Sequence, residues 1–160
     1  MASRRRDIDG LHAIAILLVL VFHCFPAVLP RGFIGVDVFF VISGYLITRS
    51  LVLDFERDAF SITRFYLRRE GRLLPALFTV LFATAAAAIF FLFAPERRTL
   101  GKHLLSALRF ASNLTLMGER GYLDGSSNLK PLLHLWSLAV EEQFYLVFPL
   151  LLWCARIRAR

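Results

Sequence analysis

Between Leu11 and Leu29 the chain reads LHAIAILLVLVFHCFPAVL, an apolar run in which the only charged or charge-switching rings are His12 and His23. Three more stretches share this texture: about Phe33 to Leu53, Leu73 to Phe93, and Leu132 to Cys154. Each is long enough for the roughly 17–25 apolar residues with which a helix crosses a bilayer. The third, LLPALFTVLFATAAAAIFFLF, has no charge, whereas the fourth carries Glu141 and Glu142 at its centre. The arginines before the first stretch resemble the start of a signal peptide, but no small-x-small cleavage site follows and further apolar runs do. The pattern predicts an all-α, polytopic membrane protein with about four transmembrane helices, at 11–29, 33–53, 73–93 and 132–154. These form one domain over residues 1–160, without a second.

Two intervening stretches alternate at helical spacing. SITRFYLRREGRLL places Arg64, Arg68 and Arg72 at i, i+4 and i+8, which predicts a basic stripe at the cytoplasmic surface. RRTLGKHLLSALRFASNL predicts a helix lying in the interface, and the turn-rich GYLDGSSN after it predicts irregular chain.

Composition agrees with lipid as the solvent: 58% of the residues are hydrophobic, and the mean hydropathy is +0.62. The formal net charge is +7, but the cations flank apolar runs, which argues against nucleic acid as a partner and for anionic lipid. Arg4, Arg5 and Arg6, then Arg57, Arg64, Arg68, Arg69 and Arg72, then Arg156, Arg158 and Arg160 fall on one side of a four-span topology. That predicts cytoplasmic termini. The segment from Ala94 to Pro131 is also basic, with Arg97, Arg98, Lys102, Arg109, Arg120 and Lys130, but a long loop weighs less in topology. Cys24 and Cys154 read as small apolar filler, and the four histidines lack the spacing of a metal site, so none is expected.

Ionisable residues within membrane helices usually face a protein interior or a water-filled cavity. His12 and His23 are eleven residues apart, within about 20° of the same helix face and separated along the axis by roughly 16 Å. With a short turn at Pro30–Gly32, the first two spans form an antiparallel hairpin that sets Asp37 at the depth of His23. Such a pair can serve as a general base with its orienting carboxylate, or as an inter-helix hydrogen bond without chemistry, and residue types alone do not choose. In the fourth span His134 and Glu141 share a face at i, i+7, Tyr145 joins Glu141 at i+4, and Glu142 points about 100° away.

Taken in order, DIDGLHAIAILLVLVFHCFP, GFIGVDVFFVISGYLIT, FYLRREGRLLPAL and PLLHLWSLAVEEQFYLVFPLL resemble the N-terminal landmarks of the acyltransferase-3 family. These are O-antigen-acetylase-like enzymes of the bacterial inner membrane. The resemblance implies transfer of an acyl group, typically acetyl, from acyl-CoA to a hydroxyl of a cell-envelope glycan or lipid-linked sugar. Acyl-CoA is a substrate rather than a resident cofactor, and none of the latter is expected. The family implies His23 as catalytic base with Asp37 and Glu142 assisting. Arg68, Arg69 and Arg72 fall on its basic motif and would bind the donor; His12, His134 and Glu141, ionisable residues of the spans, are added as substrate-binding candidates from the reading of the residues alone. A cytoplasmic arginine stripe suits the phosphates of the donor.

The sequence departs from the family pattern at His12, where the family usually has Arg, and at Gly71, where the basic motif loses an arginine. Family members also have around ten spans against four here. The competing class is therefore a non-catalytic truncated remnant, or a subunit whose partner chain supplies the missing helices. A small transporter or proton relay is a third, which leaves the arginine stripe unexplained.

Overall fold

The computed structural model describes residues 5–119 and 130–158, with side chains through Arg156. The turn-rich stretch expected at GYLDGSSN lies outside the described residues. Six helices follow in order: α1 (Arg6–Cys24), α2 (Ile34–Glu56), α3 (Ile62–Phe91), α4 (Ala94–Leu108), α5 (Ser112–Gly118) and α6 (Leu135–Arg158). Among the described residues there is no strand, and α1, α2, α3 and α6 are long and apolar enough to cross a membrane. The all-α polytopic expectation holds. By internal packing the chain divides into two units, residues 1–60 and 61–160.

In the first unit α1 stops at Cys24, five residues short of the predicted end, because Phe25 precedes Pro26 and the residue before a proline is pushed out of the helical region. The chain then reverses at Phe25–Val28. It does not wait for Pro30: hydrogen bonds from Gly32 N to Leu29 O, Ile34 N to Arg31 O and Gly35 N to Gly32 O already wind the chain into the axis of α2. What permits this early return is glycine. A Cβ at Gly32 would stand 2.4 Å from the Leu18 carbonyl oxygen, and one at Gly35 would stand 2.5 Å from that of Ala15. The two backbones therefore touch where a side chain would hold them apart.

In the second unit α3 runs unbroken for 30 residues, so the basic stretch and the third apolar span are one helix of about 45 Å. Ser61 caps its start, its hydroxyl accepting from Arg64 N at 3.4 Å. Pro75 lies inside it and leaves one main-chain bond unmade. The segment expected to form a single interfacial helix forms two, α4 and α5, joined by a corner at Arg109–Ala111 where Phe110 adopts φ 50°. The core of this unit gathers Leu77, Leu81 and Ala88 of α3, Leu100 and Ala107 of α4, and Leu132 and Leu135. Thus α4 packs the apolar face carrying Leu100 and Ala107 against α3.

Candidate active site

Both histidines of α1 are tied to their own helix. His23 Nδ1 lies 2.8 Å from the Val19 carbonyl oxygen, and His12 Nδ1 lies 3.2 Å from that of Ile8. A carbonyl only accepts, so in each ring Nδ1 carries the proton and, in the neutral imidazole, Nε2 keeps its lone pair. The carbonyl has two lone pairs, so it serves the ring and the helix together. His23 is exposed, and His12 is half-buried with its ring 5.7 Å from that of Phe39.

The structure does not bring His23 and Asp37 together. No hydrogen bond or ion pair joins them, and both are exposed. The cause is register. Gly35 meets Ala15 and Val19, Gly32 meets Leu18 and Phe22, and Phe39 meets His12, so Asp37 stands level with the middle of α1. It lies about 12 Å along the axis from His23, because the chain reverses four residues earlier than the turn signals at Pro30–Gly32 imply. The hydrogen bond expected from Asp37 to His23 is made instead by the Val19 carbonyl.

In the second unit Glu141, Glu142 and Tyr145 converge on one arginine. Arg69 donates through Nε to Glu142 at 3.2 Å and through Nη2 to Glu141 at 3.5 Å, and its guanidinium carbon sits 3.0 Å from the centroid of the Tyr145 ring. The Tyr145 hydroxyl in turn donates to Glu141, as the i, i+4 spacing predicts. Glu142 is 6% exposed and Tyr145 1%, so the flat guanidinium is held between a carboxylate and an aromatic face, a geometry that lysine cannot reproduce. Glu141 and Glu142 diverge on α6, and only the reach of an arginine lets one cation serve both.

Arg64, Arg68 and Arg72 lie exposed along α3, as their spacing predicts. Arg69 meets Glu142, and one turn earlier the Tyr66 hydroxyl donates to Leu146 O at 2.9 Å, so α3 and α6 cross in antiparallel sense. The basic turns of α3 are therefore level with the middle of α6. His134 precedes the first residue of α6, in a turn whose carbonyl accepts from the Ser137 hydroxyl at 3.1 Å, so it is not carried on the helix with Glu141.

Two further polar clusters escaped the sequence reading. Gln143 donates to the Phe110 carbonyl at 2.8 Å and exchanges amide hydrogen bonds with Asn113 at 3.0 and 3.1 Å, which fastens the α4–α5 corner to α6. His103, buried on the inner face of α4, donates through Nε2 to Glu119 at 3.0 Å, and Lys130 donates to the same carboxylate at 2.7 Å. Partial burial acts to raise the Glu119 carboxyl, but the hydrogen bonds from Lys130 and His103 outweigh it and hold the group below the usual carboxylate range. A signal for His103 existed, since it shares the apolar face Leu100, His103, Ala107.

Comparison with known proteins supplies the family. A model of the acyltransferase domain (Acyl_transf_3) matches residues 5–160. The chain is 42% identical over 145 residues to a Komagataeibacter xylinus protein named as a membrane-bound transacylase, BcsY, covering 91% of this chain and 36% of that one. It is 39% identical over 147 residues to a protein of Staphylococcus aureus strain COL named as an O-acetyltransferase, covering 91% of this chain and 24% of the other. Against the peptidoglycan O-acetyltransferase OatA of Listeria monocytogenes it is 38% identical over 146 residues, 89% of this chain and 23% of OatA. The chain thus spans between about a quarter and about a third of these relatives. No solved structure is a significant match. With four helices fit to cross a bilayer, it is a multi-pass membrane protein, and it belongs to the acyltransferase domain family.

Proposed function

We propose that the protein carrying this sequence is an O-acyltransferase of the bacterial inner membrane that moves an acetyl or similar acyl group from acyl-CoA to a hydroxyl of a cell-envelope glycan. The observation that carries this reading is the tie of His23: its Nδ1 lies 2.8 Å from the Val19 carbonyl oxygen and donates to it, which in the neutral imidazole leaves the lone pair on Nε2. In the reaction Nε2 takes the proton of the acceptor hydroxyl as its oxygen attacks the thioester carbonyl. The carbon–sulfur bond then breaks, and the thiolate of coenzyme A leaves. The Val19 carbonyl holds the tautomer throughout, a task that otherwise needs a carboxylate.

The donor's phosphates match the exposed guanidinium groups of Arg68 and Arg72. Arg69 holds α3 to α6 through Glu141 and Glu142, and in this reading those glutamates shape the floor beneath the donor site. His12 Nδ1 is held likewise by the Ile8 carbonyl, at the position where the family pattern usually has Arg. Both termini lie on the cytoplasmic side, where acyl-CoA is found.

The test is envelope-glycan acetylation in a cell lacking its native enzyme, comparing the protein with its His23→Ala and Arg72→Gln variants. Loss of product with His23→Ala, and with Arg72→Gln a raised demand for donor at unchanged maximal rate, are the expected results. Equal product from His23→Ala and the parent would remove the base.

A further inference from the structure

The corner between α3 and α4 combines two features that the proposed chemistry does not use. Phe90, Phe91 and Phe93 are 82, 81 and 79% exposed, among the most open large apolar side chains described. Within a few residues of them come Arg97, Arg98 and Lys102, all exposed. The only acidic residue of α4, Glu96, is already engaged, its carboxylate accepting from the Phe93 main-chain N–H at 2.8 Å. Arg97 reaches back to the Ile89 carbonyl at 3.5 Å, which places its guanidinium over the end of α3 and beside the three rings. Arg98 and Lys102 are one turn apart on the face of α4 turned away from its buried residues Leu100, His103, Ser106 and Ala107, and among the described residues neither side chain has a hydrogen-bond or ion-pair partner.

From this juxtaposition we infer that the α3–α4 corner is a binding site for an anionic phospholipid. The three rings lie among the acyl chains, and Arg98 and Lys102 hold the phosphate of the headgroup, with Arg97 adding positive potential from the helix end. The occupant is a lipid because cations and open aromatic rings adjoin at the end of the uncharged part of α3, where acyl chains meet headgroups. It is an anionic lipid because the local charge is positive and Glu96 is committed to its cap, so a zwitterionic headgroup leaves the cations uncompensated. The site also explains why a segment opposite the proposed cytoplasmic face is rich in cations: they bind a ligand and do not set topology.

The experiment is native mass spectrometry of the detergent-purified chain with added dioleoyl-phosphatidylglycerol or dioleoyl-phosphatidylcholine. The expected result is a tighter first site for phosphatidylglycerol. Arg98→Gln with Lys102→Gln weakens that site by about 25-fold, about fivefold per charge, and leaves phosphatidylcholine unaffected. Arg6→Gln with Arg49→Gln, the same loss of charge in the first unit, leaves the site intact. Equal affinity for the two lipids, an unchanged site in the Arg98/Lys102 variant, or an equal loss in the Arg6/Arg49 variant would each overturn the inference. So would full displacement of the lipid by inorganic pyrophosphate, which has no chains for the rings to hold.

Discussion

The histidines of α1 and the glutamate pair of α6 are both ionisable groups set into apolar helices, and the two units handle them differently. In the first unit each imidazole is tied to the carbonyl four residues behind it, a bond that engages one ring nitrogen and no other helix. α1 and α2 are then held by backbone contact through Gly32 and Gly35. In the second unit Glu141 and Glu142 are tied to Arg69, which lies more than seventy residues earlier, and the neighbouring Gln143 is tied to Asn113 and Phe110. Long-range ties use up the bonding capacity of both partners, while the local tie leaves Nε2 free. A group meant to exchange protons is better served by the second arrangement, and a group meant to hold helices together by the first.

Substitutions can break this contrast, and the largest effect is expected at Glu142. Glu142→Ala leaves Arg69 with a single weaker carboxylate partner at a largely buried point, and the expected loss is about 3 kcal/mol of stability in detergent. His23→Ala, measured in the same way, should change stability by no more than about 0.5 kcal/mol, because no other helix depends on it. Equal losses from the two would erase the distinction between structural and chemical groups.

Next comes Gly35→Ala, whose new methyl group meets the Ala15 carbonyl oxygen at 2.5 Å and Val19 Cγ2 at 2.8 Å. Backbone contact must give way, at a cost of about 2 kcal/mol, read as a lowered melting temperature of the helical signal. Gly71→Ala sharpens the point from the other side. Nothing stands within 4 Å of its Cβ position, and the helix interior should gain about 0.8 kcal/mol.

The smallest effect concerns the clamp of His103, Glu119 and Lys130. The folded protein depresses the Glu119 carboxyl below its ordinary value of 4.5, so its contribution is fully present above that value and is lost as pH falls through the lower folded one. Partly exposed, the group contributes under about 1 kcal/mol. Unfolding curves of Glu119→Gln and the parent should therefore converge at acid pH and separate near neutrality.

Much of the architecture was legible because the apolar runs are long and the charges between them few. The four long apolar helices, the arginine stripe and the Tyr145–Glu141 contact all follow from period and spacing. What was not legible depended on backbone proximity. The count from Pro30–Gly32 put Asp37 beside His23, but Pro26 ends α1 early and the glycines let α2 begin its path at once. The fold-back of α4 was hidden because its apolar face fits lipid and protein equally well. Likewise Arg69 looked like its neighbours Arg68 and Arg72, and only the crossing of α3 with α6 separates it from them.

The proposed role of His23 depends on a ring whose Nδ1 is held by the carbonyl of its own helix. Nitrogen NMR of the chain labelled with 15N-histidine, at a pH where the ring is neutral, reads the tautomer directly. A protonated Nδ1 and a bare Nε2 are expected for His23, unchanged in Asp37→Asn. A proton on Nε2, or a tautomer that switches when Asp37 is replaced, would contradict it.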